Sequence, residues 1–404
     1  MSTLSGPRLA LFAAAAALLI AALLGRVPIA SAVIVSMSDG RSLSGDLTAA
    51  DEDSITVADD RLPLAQIASV DWGVNADPDT LKEIVVFLNG DRVAGRVDSA
   101  STAGKQVEQT TEYGKMTWHA PAVSKVVFDP SPSTQERLDA DLPLGAYPIQ
   151  GEAVPGDRVL VSSSGVRVTS QMFGRKDMER GQVAFAVLSE GRRREFPYRK
   201  PYVKVLAQNG DVLSGSIESV TGGKLVLRLP FYTFPTATVE LPLGLLARMI
   251  VLNGSVVYLS DLEPAAQKNI PYLFSFTAPA RSDASFAGTP VSVGGRIFLK
   301  GVCTRARTEL TYALDRKYET FDATIGVDDS VLSAGGSVRF LVYGEDLSGK
   351  PLYESELLPG PAAQTAAVHL RVAGVTRLIL VTDWGPRGDI GAHGCWAGAR
   401  LVRK

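Results

Sequence analysis

The chain has 404 residues, of which 46% are hydrophobic and 21% charged, and its formal net charge is -2. A chain of this length holds roughly two to three domains, and its near-neutral balance removes the electrostatic case for nucleic acid, which needs a basic face. The 38 Gly and 23 Pro residues, with no long amphipathic run, favour short strands joined by turns and so an all-β class.

The first element is a targeting segment. Arg8 supplies a positive start, Leu9 to Leu24 is unbroken apolar sequence, and Gly25 and Pro28 end it. Ala30-Ser31-Ala32 fits a small-residue cleavage site. The apolar run is shorter than the roughly 20 residues of a spanning helix. A signal peptide over residues 1–32 is therefore expected, and with it export to the periplasm, the cell surface or the medium. Uncleaved, it is the one membrane contact that the sequence offers.

An internal repeat follows. Gly40-Arg41-Ser42-Leu43-Ser44-Gly45 has the same spacing as Gly90-Asp91-Arg92-Val93-Ala94-Gly95 and Gly210-Asp211-Val212-Leu213-Ser214-Gly215. Each copy follows an apolar strand: Val33 to Val35, Ile84 to Leu88, Val203 to Leu206. Asp39-Gly40, Asn89-Gly90 and Asn209-Gly210 read as two-residue hairpins with a type I′ turn. The second Gly predicts a bulge or sharp bend in the returning strand. Leu62-Pro63-Leu64, Trp118 to Ala120 and Leu241-Pro242-Leu243 lead into apolar residues spaced by three, which predicts one helical turn feeding a last strand. Each unit thus reads as a bent, SH3-like or Sm-like β-barrel, over 33–75, 80–130 and 201–258. Such small units need to pack on one another.

Residues 131–200 are open between a fourth, degenerate barrel and part of an inserted sandwich. Pro130, Pro132, Pro143, Pro148 and Pro155 break its first part. Strands are expected at 158–161, 166–169, 182–188 and 194–198. Arg192-Arg193-Arg194 reads as a solvated hairpin tip, with a polyanion contact as the sharper alternative.

From Gly294 the sequence runs Gly-Gly-Arg-Ile-Phe-Leu-Lys-Gly-Val-Cys. It continues through Glu309-Leu310-Thr311-Tyr312-Ala313-Leu314, Ile325-Gly326-Val327-Asp328-Asp329 and Gly336-Ser337-Val338-Arg339-Phe340-Leu341-Val342-Tyr343. It closes on Cys395-Trp396-Ala397-Gly398-Ala399-Arg400-Leu401, and Tyr258 to Pro264 leads into it. This series resembles the NPCBM family of carbohydrate-binding modules over residues 264–404. The resemblance implies a jelly-roll, galactose-binding-like β-sandwich that binds glycans without catalysis. It departs from the family pattern after the first strand, where Cys303 and Arg305 stand at positions usually held by Gly and His.

Export permits a disulfide, and two buried free thiols are the alternative for Cys303 and Cys395. The module's first and last strands are expected neighbours, so the resemblance implies a Cys303–Cys395 bridge. Two cysteines are too few for a zinc site; metal binding is otherwise open, and no cofactor is expected.

Within the module, Asp328 and Asp329 match a family Gly-hydrophobic-Asp-Asp pattern at a strand end. They read as a sugar-hydroxyl or hard-cation contact, or as turn chemistry. Trp384 lies in Thr382-Asp383-Trp384-Gly385-Pro386, where an indole face could stack on a pyranose or plug the sandwich edge. Asp389 and His393 share its loop, so these five residues form the candidate ligand-binding set. Trp396 alternates with apolar neighbours and reads as core. His119, His369 and His393 make no metal motif, and no nucleophile elbow or P-loop is present. The expected function is glycan binding. A cell-envelope scaffold acting through protein contacts of the barrels is the alternative, and an enzyme centre in 131–200 a third.

Overall fold

The computed structural model describes residues 32–78, 82–138, 141–190, 198–229, 238–272, 278–360 and 364–404. The apolar leader and Arg192 to Arg194 lie outside the described residues. Among those described, no helix is long and apolar enough to cross a membrane.

The first repeat is β1 (Ala32–Met37), β2 (Ser42–Ala50), β3 (Ser54–Val57), β4 (Asp60–Pro63), a 3-10 turn (Leu64–Gln66) and β5 (Ile67–Asp71). Its antiparallel ladders run β5-β1-β2-β3-β4. The 3-10 turn, rather than a ladder, joins β4 to β5, so the unit is a strongly bent, open barrel. Alternate residues point inward, as a half-buried strand requires: Val33, Val35, Ile55, Val57 and Val70 have no exposed surface.

The second repeat has the same order: β6 (Ile84–Phe87), β7 (Arg92–Ser101), β8 (Gln106–Thr111), β9 (Gly114–His119), a 3-10 turn (Ala120–Ala122) and β10 (Val123–Val127). Within the open region, residues 145–187 carry the same ladder scheme as the repeats. There β11 (Gly145–Pro148), β12 (Val154–Pro155), β13 (Arg158–Val161), β14 (Gly165–Ser170), β15 (Gly174–Glu179), a 3-10 turn (Arg180–Gln182) and β16 (Val183–Val187) repeat the ladder scheme. The last repeat is β17 (Tyr202–Ala207), β18 (Val212–Thr221), β19 (Lys224–Arg228), β20 (Thr238–Pro242), a 3-10 turn (Leu243–Leu245) and β21 (Leu246–Leu252).

The hairpins differ from the type I′ expectation. Only Gly40, Gly90 and Gly210 take positive φ, at 87°, 84° and 85°. Asn89 Oδ1 instead accepts from the Asp91 amide at 3.1 Å, Asn209 Oδ1 from Asp211 at 3.0 Å, and Asp39 Oδ1 from Arg41 at 3.0 Å. This side-chain bond fixes a longer turn in which Gly alone is left-handed. The second glycine permits a close crossing: a Cβ on Gly95 would lie 2.4 Å from the Thr110 carbonyl oxygen. The register shift comes just after it, between Val97 and Ser99.

The repeats are not a string of beads. The closing strands of the first and last repeats pair (β5 with β21), and those of the two middle repeats pair (β10 with β16). Arg180 forks onto Glu83 at 2.7 and 2.6 Å between the middle repeats. The second and last repeats exchange their motif aspartates. Asp91 accepts from the Ser214 amide at 2.5 Å, and Asp211 accepts from the Ala94 amide at 2.6 Å. Ser214 and Ala94 hold equivalent positions in the two motifs, so the exchange is a local pseudo-twofold.

Burial pushes the Asp211 carboxyl from 3.8 to about 6, against the Ala94 amide and Asn209, which favour its charge. A carboxyl raised in the folded state contributes stability that is complete below its unfolded pKa and is lost as pH rises through the folded one. Relative to Asp211→Asn, the unaltered protein therefore loses on the order of 3 kcal/mol between pH 3.8 and about 6. Urea unfolding of both proteins across that window measures it, and a pH-independent difference would refute it.

The C-terminal part is a two-sheet sandwich. Its strands are β22 (Val256–Tyr258), β23 (Ala266–Asn269), β24 (Arg281–Ser282), β25 (Val291–Val293), β26 (Arg296–Phe298), β27 (Gly301–Arg305) and β28 (Thr308–Ala313). They continue with β29 (Tyr318–Val327), β30 (Ser337–Gly344), β31 (Tyr353–Glu354), β32 (Leu358–Pro359), β33 (Thr365–Arg371), β34 (Arg377–Trp384) and β35 (His393–Arg403). One sheet runs β24-β27-β35-β29-β33 and the facing one β23-β28-β34-β30-β31. Between them Trp396 is fully buried, edge-on to Phe340 at 4.9 Å, with its indole N–H donating to Thr382 Oγ1 at 3.0 Å. Cys303 and Cys395 face each other on β27 and β35 and are disulfide-bonded. The sandwich is tied to the repeats at Asp71, which accepts from Arg248 of β21 at 2.7 Å and from Arg296 of the β25–β26 hairpin at 2.5 Å.

Candidate functional site

Three strands of one sheet end together. Arg305 closes β27 directly opposite His393, which opens β35, and the amide of Asp328, just past β29, donates to the His393 carbonyl at 2.9 Å. The loop from Ala306 to Arg307 turns the chain into the facing sheet, and Ile270 pairs with it through backbone bonds. The result is a cleft of about 240 Å³ at the sandwich edge, with Tyr272, Arg305, Arg307, Asp389 and His393 in its lining.

Its walls have distinct chemistry. Tyr272 is 37% exposed and stands edge-on to the half-buried Trp384 at 5.4 Å. Gly388, at φ 66°, lies against the Tyr272 ring; a Cβ there would come within 2.6 Å of it. Loop 385–392 therefore needs glycine at that point. The Arg305 guanidinium lies over the Phe286 ring at 5.0 Å, and Phe286 also packs on His393 at 5.2 Å. Burial, and then the Arg305 charge, lower the His393 pKa to about 4, so its imidazole is neutral at physiological pH. Arg307 is neutralised by Glu309 at 3.3 Å and Asp383 at 3.4 Å. Arg305 Nε and His393 Nδ1 are buried with no hydrogen-bond partner among the described residues.

The candidate set divides. Asp389 and His393 line the cleft, and Trp384 supports its aromatic wall through Tyr272. Asp328 and Asp329 stand beside it, outside the lining. Asp328 is fully buried and its Oδ1 caps the 3-10 turn Asp329–Ala334 through the Ser330 amide at 3.0 Å. Burial raises its pKa. Asp329 Oδ2 accepts from Ser292 Oγ at 2.5 Å and the Gly295 amide at 2.9 Å, which anchors the β25–β26 hairpin. Cys303, Asp328 and Cys395 lie close together, but the sulfurs are bonded to each other, which removes them as metal ligands. His369 pairs with Asp322 at 2.6 Å on an outer ladder, and His119 precedes the 3-10 turn of the second repeat; both are remote from the cleft.

Tyr272, Arg305 and Arg307 are cleft residues that were not in the candidate set. Arg305 had a signal, the departure from the family's His. Tyr272 reaches the site only because the chain before β24 folds back onto Arg307.

Residues 255–402 match the model of the NPCBM/NEW2 domain family. A Renibacterium salmoninarum protein provisionally named an endo-alpha-N-acetylgalactosaminidase is 32% identical over 116 residues, 28% of this chain and 7% of that protein. The chain thus spans a small fraction of the length of that relative. Among solved structures, the CBM51 module of a Clostridium perfringens GH95 protein, in complex with methyl-galactose, is 28% identical, with a TM-score of 0.32, over 36% of this chain and 99% of that one. The tandem CBM51 modules of a Streptococcus pneumoniae family 98 glycoside hydrolase are 14% identical, with a TM-score of 0.32, over 80% of this chain and 88% of theirs.

Proposed function

We propose that this chain, whose C-terminal residues 255–402 form a domain of the NPCBM/NEW2 family, is an exported, non-catalytic glycan-binding protein that uses the cleft at the end of β27, β29 and β35. The observation that carries the reading is the cleft's composition. An aromatic wall of Tyr272 and Trp384 suits the C–H face of a pyranose. Beside it, Arg305, His393 and Asp389 offer a donor, a neutral imidazole and an acceptor, the mixture that ring hydroxyls need. Asp328 and Asp329 act by shaping the loop behind it. The disulfide supports export, because such bonds persist in oxidising compartments. The repeats carry the module as a rigid base.

The full-length chain on a glycan array gives a defined signal under this reading. Tyr272→Ala and Trp384→Ala each weaken it by about tenfold, the worth of one aromatic contact. Because Trp384 also packs on the core, melting curves accompany the array, and Tyr272→Ala is the cleaner probe. A flat array for the unaltered chain would sink the proposal.

One observation favours a scaffold role for the repeats. Met172 is 95% exposed and Phe173 49% exposed in the β14–β15 turn of the degenerate repeat. Apolar side chains held in water at a loop tip suit a protein contact. A flat array together with recovery of defined envelope proteins by the intact chain would favour that reading.

A further inference from the structure

Among the described residues, the cleft holds one cation without an ion-pair partner. Arg307 is matched by Glu309 and Asp383, whereas Arg305 forms no ion pair among the described residues and its Nε–H is buried without an acceptor. A half-buried guanidinium left unpaired is unfavourable, because it gives up water without gaining an acceptor. Its guanidinium carbon lies over the Phe286 ring, 5.0 Å from the centroid, which holds the group at the cleft, and a planar carboxylate is the partner that matches a guanidinium fork with two parallel bonds. The neighbouring groups agree. His393 is neutral and adds no second charge, and Asp389 remains at the rim as an acceptor for hydroxyls.

We infer that this cleft selects sugars that carry a carboxylate, of the uronic or nonulosonic acid class, with Arg305 as the specificity-determining residue. The inference rests on the glycan-binding reading and narrows it. The acid group sits on the Arg305 fork while a ring face lies toward Tyr272. No covalent step is involved; recognition is a charge-assisted hydrogen bond in a partly desolvated site.

Titration calorimetry with the full-length protein tests it. The probes are hexuronate and nonulosonate oligosaccharides and the same compounds after carboxyl reduction. The acidic forms bind about tenfold or more tightly than their reduced partners, and the gap narrows as salt is raised. Arg305→Gln abolishes the gap, so that the acidic and reduced forms bind alike. Arg305→Lys, which keeps the charge without the fork, restores only part of it. Equal affinity for acidic and reduced forms, or a gap that survives Arg305→Gln, overturns the inference. If neutral glycans bind and no acidic one does, the inference fails and glycan binding stands. If no glycan binds at all, both fail.

Discussion

Replacing Asp91 with Ala lowers the unfolding free energy of the repeats by about 3–5 kcal/mol, the usual penalty for stranding one member of a buried ion pair. Asp91 is fully buried. Its Oδ1 lies 3.1 Å from Lys204 Nζ, a side chain only 5% exposed, and accepts from Ser214 Oγ at 3.0 Å. Its Oδ2 takes the Ser214 amide. Removing the carboxylate leaves an ammonium and an amide without this acceptor in the space between two repeats. The pair need not itself be a large net stabiliser, because burying it is costly too. Lys204→Met in the Asp91→Ala background therefore recovers much of the loss. A double-mutant cycle by urea denaturation reads the coupling. A loss below about 1 kcal/mol, or additive single effects, would show that the exchange is incidental.

The second large effect is in the sandwich. The Cys303–Cys395 bridge spans a sequence separation of 92. A loop of that size contributes up to about 4–5 kcal/mol by restricting the unfolded chain. The sulfurs pack with Val291, Val293 and Ala397 in a dry cluster. The double variant Cys303→Ala and Cys395→Ala therefore also loses a little packing, while serine would add an unmet polar group. The expected result is a sandwich transition shifted to lower denaturant, with the repeats' transition unmoved. Dithiothreitol on the unaltered protein reproduces the shift. A variant as stable as the parent would mean that the paired strands already fix this edge without the bond.

Much of the architecture is legible in local pattern. The paired glycines, the apolar spacing of three after Leu-Pro-Leu, and the ordered strand run from Gly294 to Leu401 each reflect constraints within a few residues. The structure bears out the resulting all-β reading. What stays hidden is whatever depends on distant chain. Asp91 and Asp211 read as turn residues, and nothing local tells that each caps a strand of the other's repeat. The turn type follows from an Asn side chain folding back on the next-but-one amide, a competition that the Asn-Gly pair alone does not reveal. Residues 145–187 keep the glycine spacing, in Gly151 and Gly156, but Pro148 and Pro155 interrupt the apolar strands that mark the other copies. In the cleft, His393 and Asp389 are accessible to motif reading because they lie in the module's last loop. Tyr272 and Arg307 are not, because a backbone pairing between 270 and 307 brings them in.

The nested pairing of the repeats has a consequence for how the protein comes into being. β5 is complete early in synthesis, yet its partner β21 lies beyond both middle repeats. Until that partner emerges, β5 presents an unpaired edge, the kind of surface on which chains join wrongly. Asp71, at the end of β5, likewise waits for Arg248 and then for Arg296. The first repeat is thus completed only when the last one has been made, and the C-terminal module docks at the joint between them.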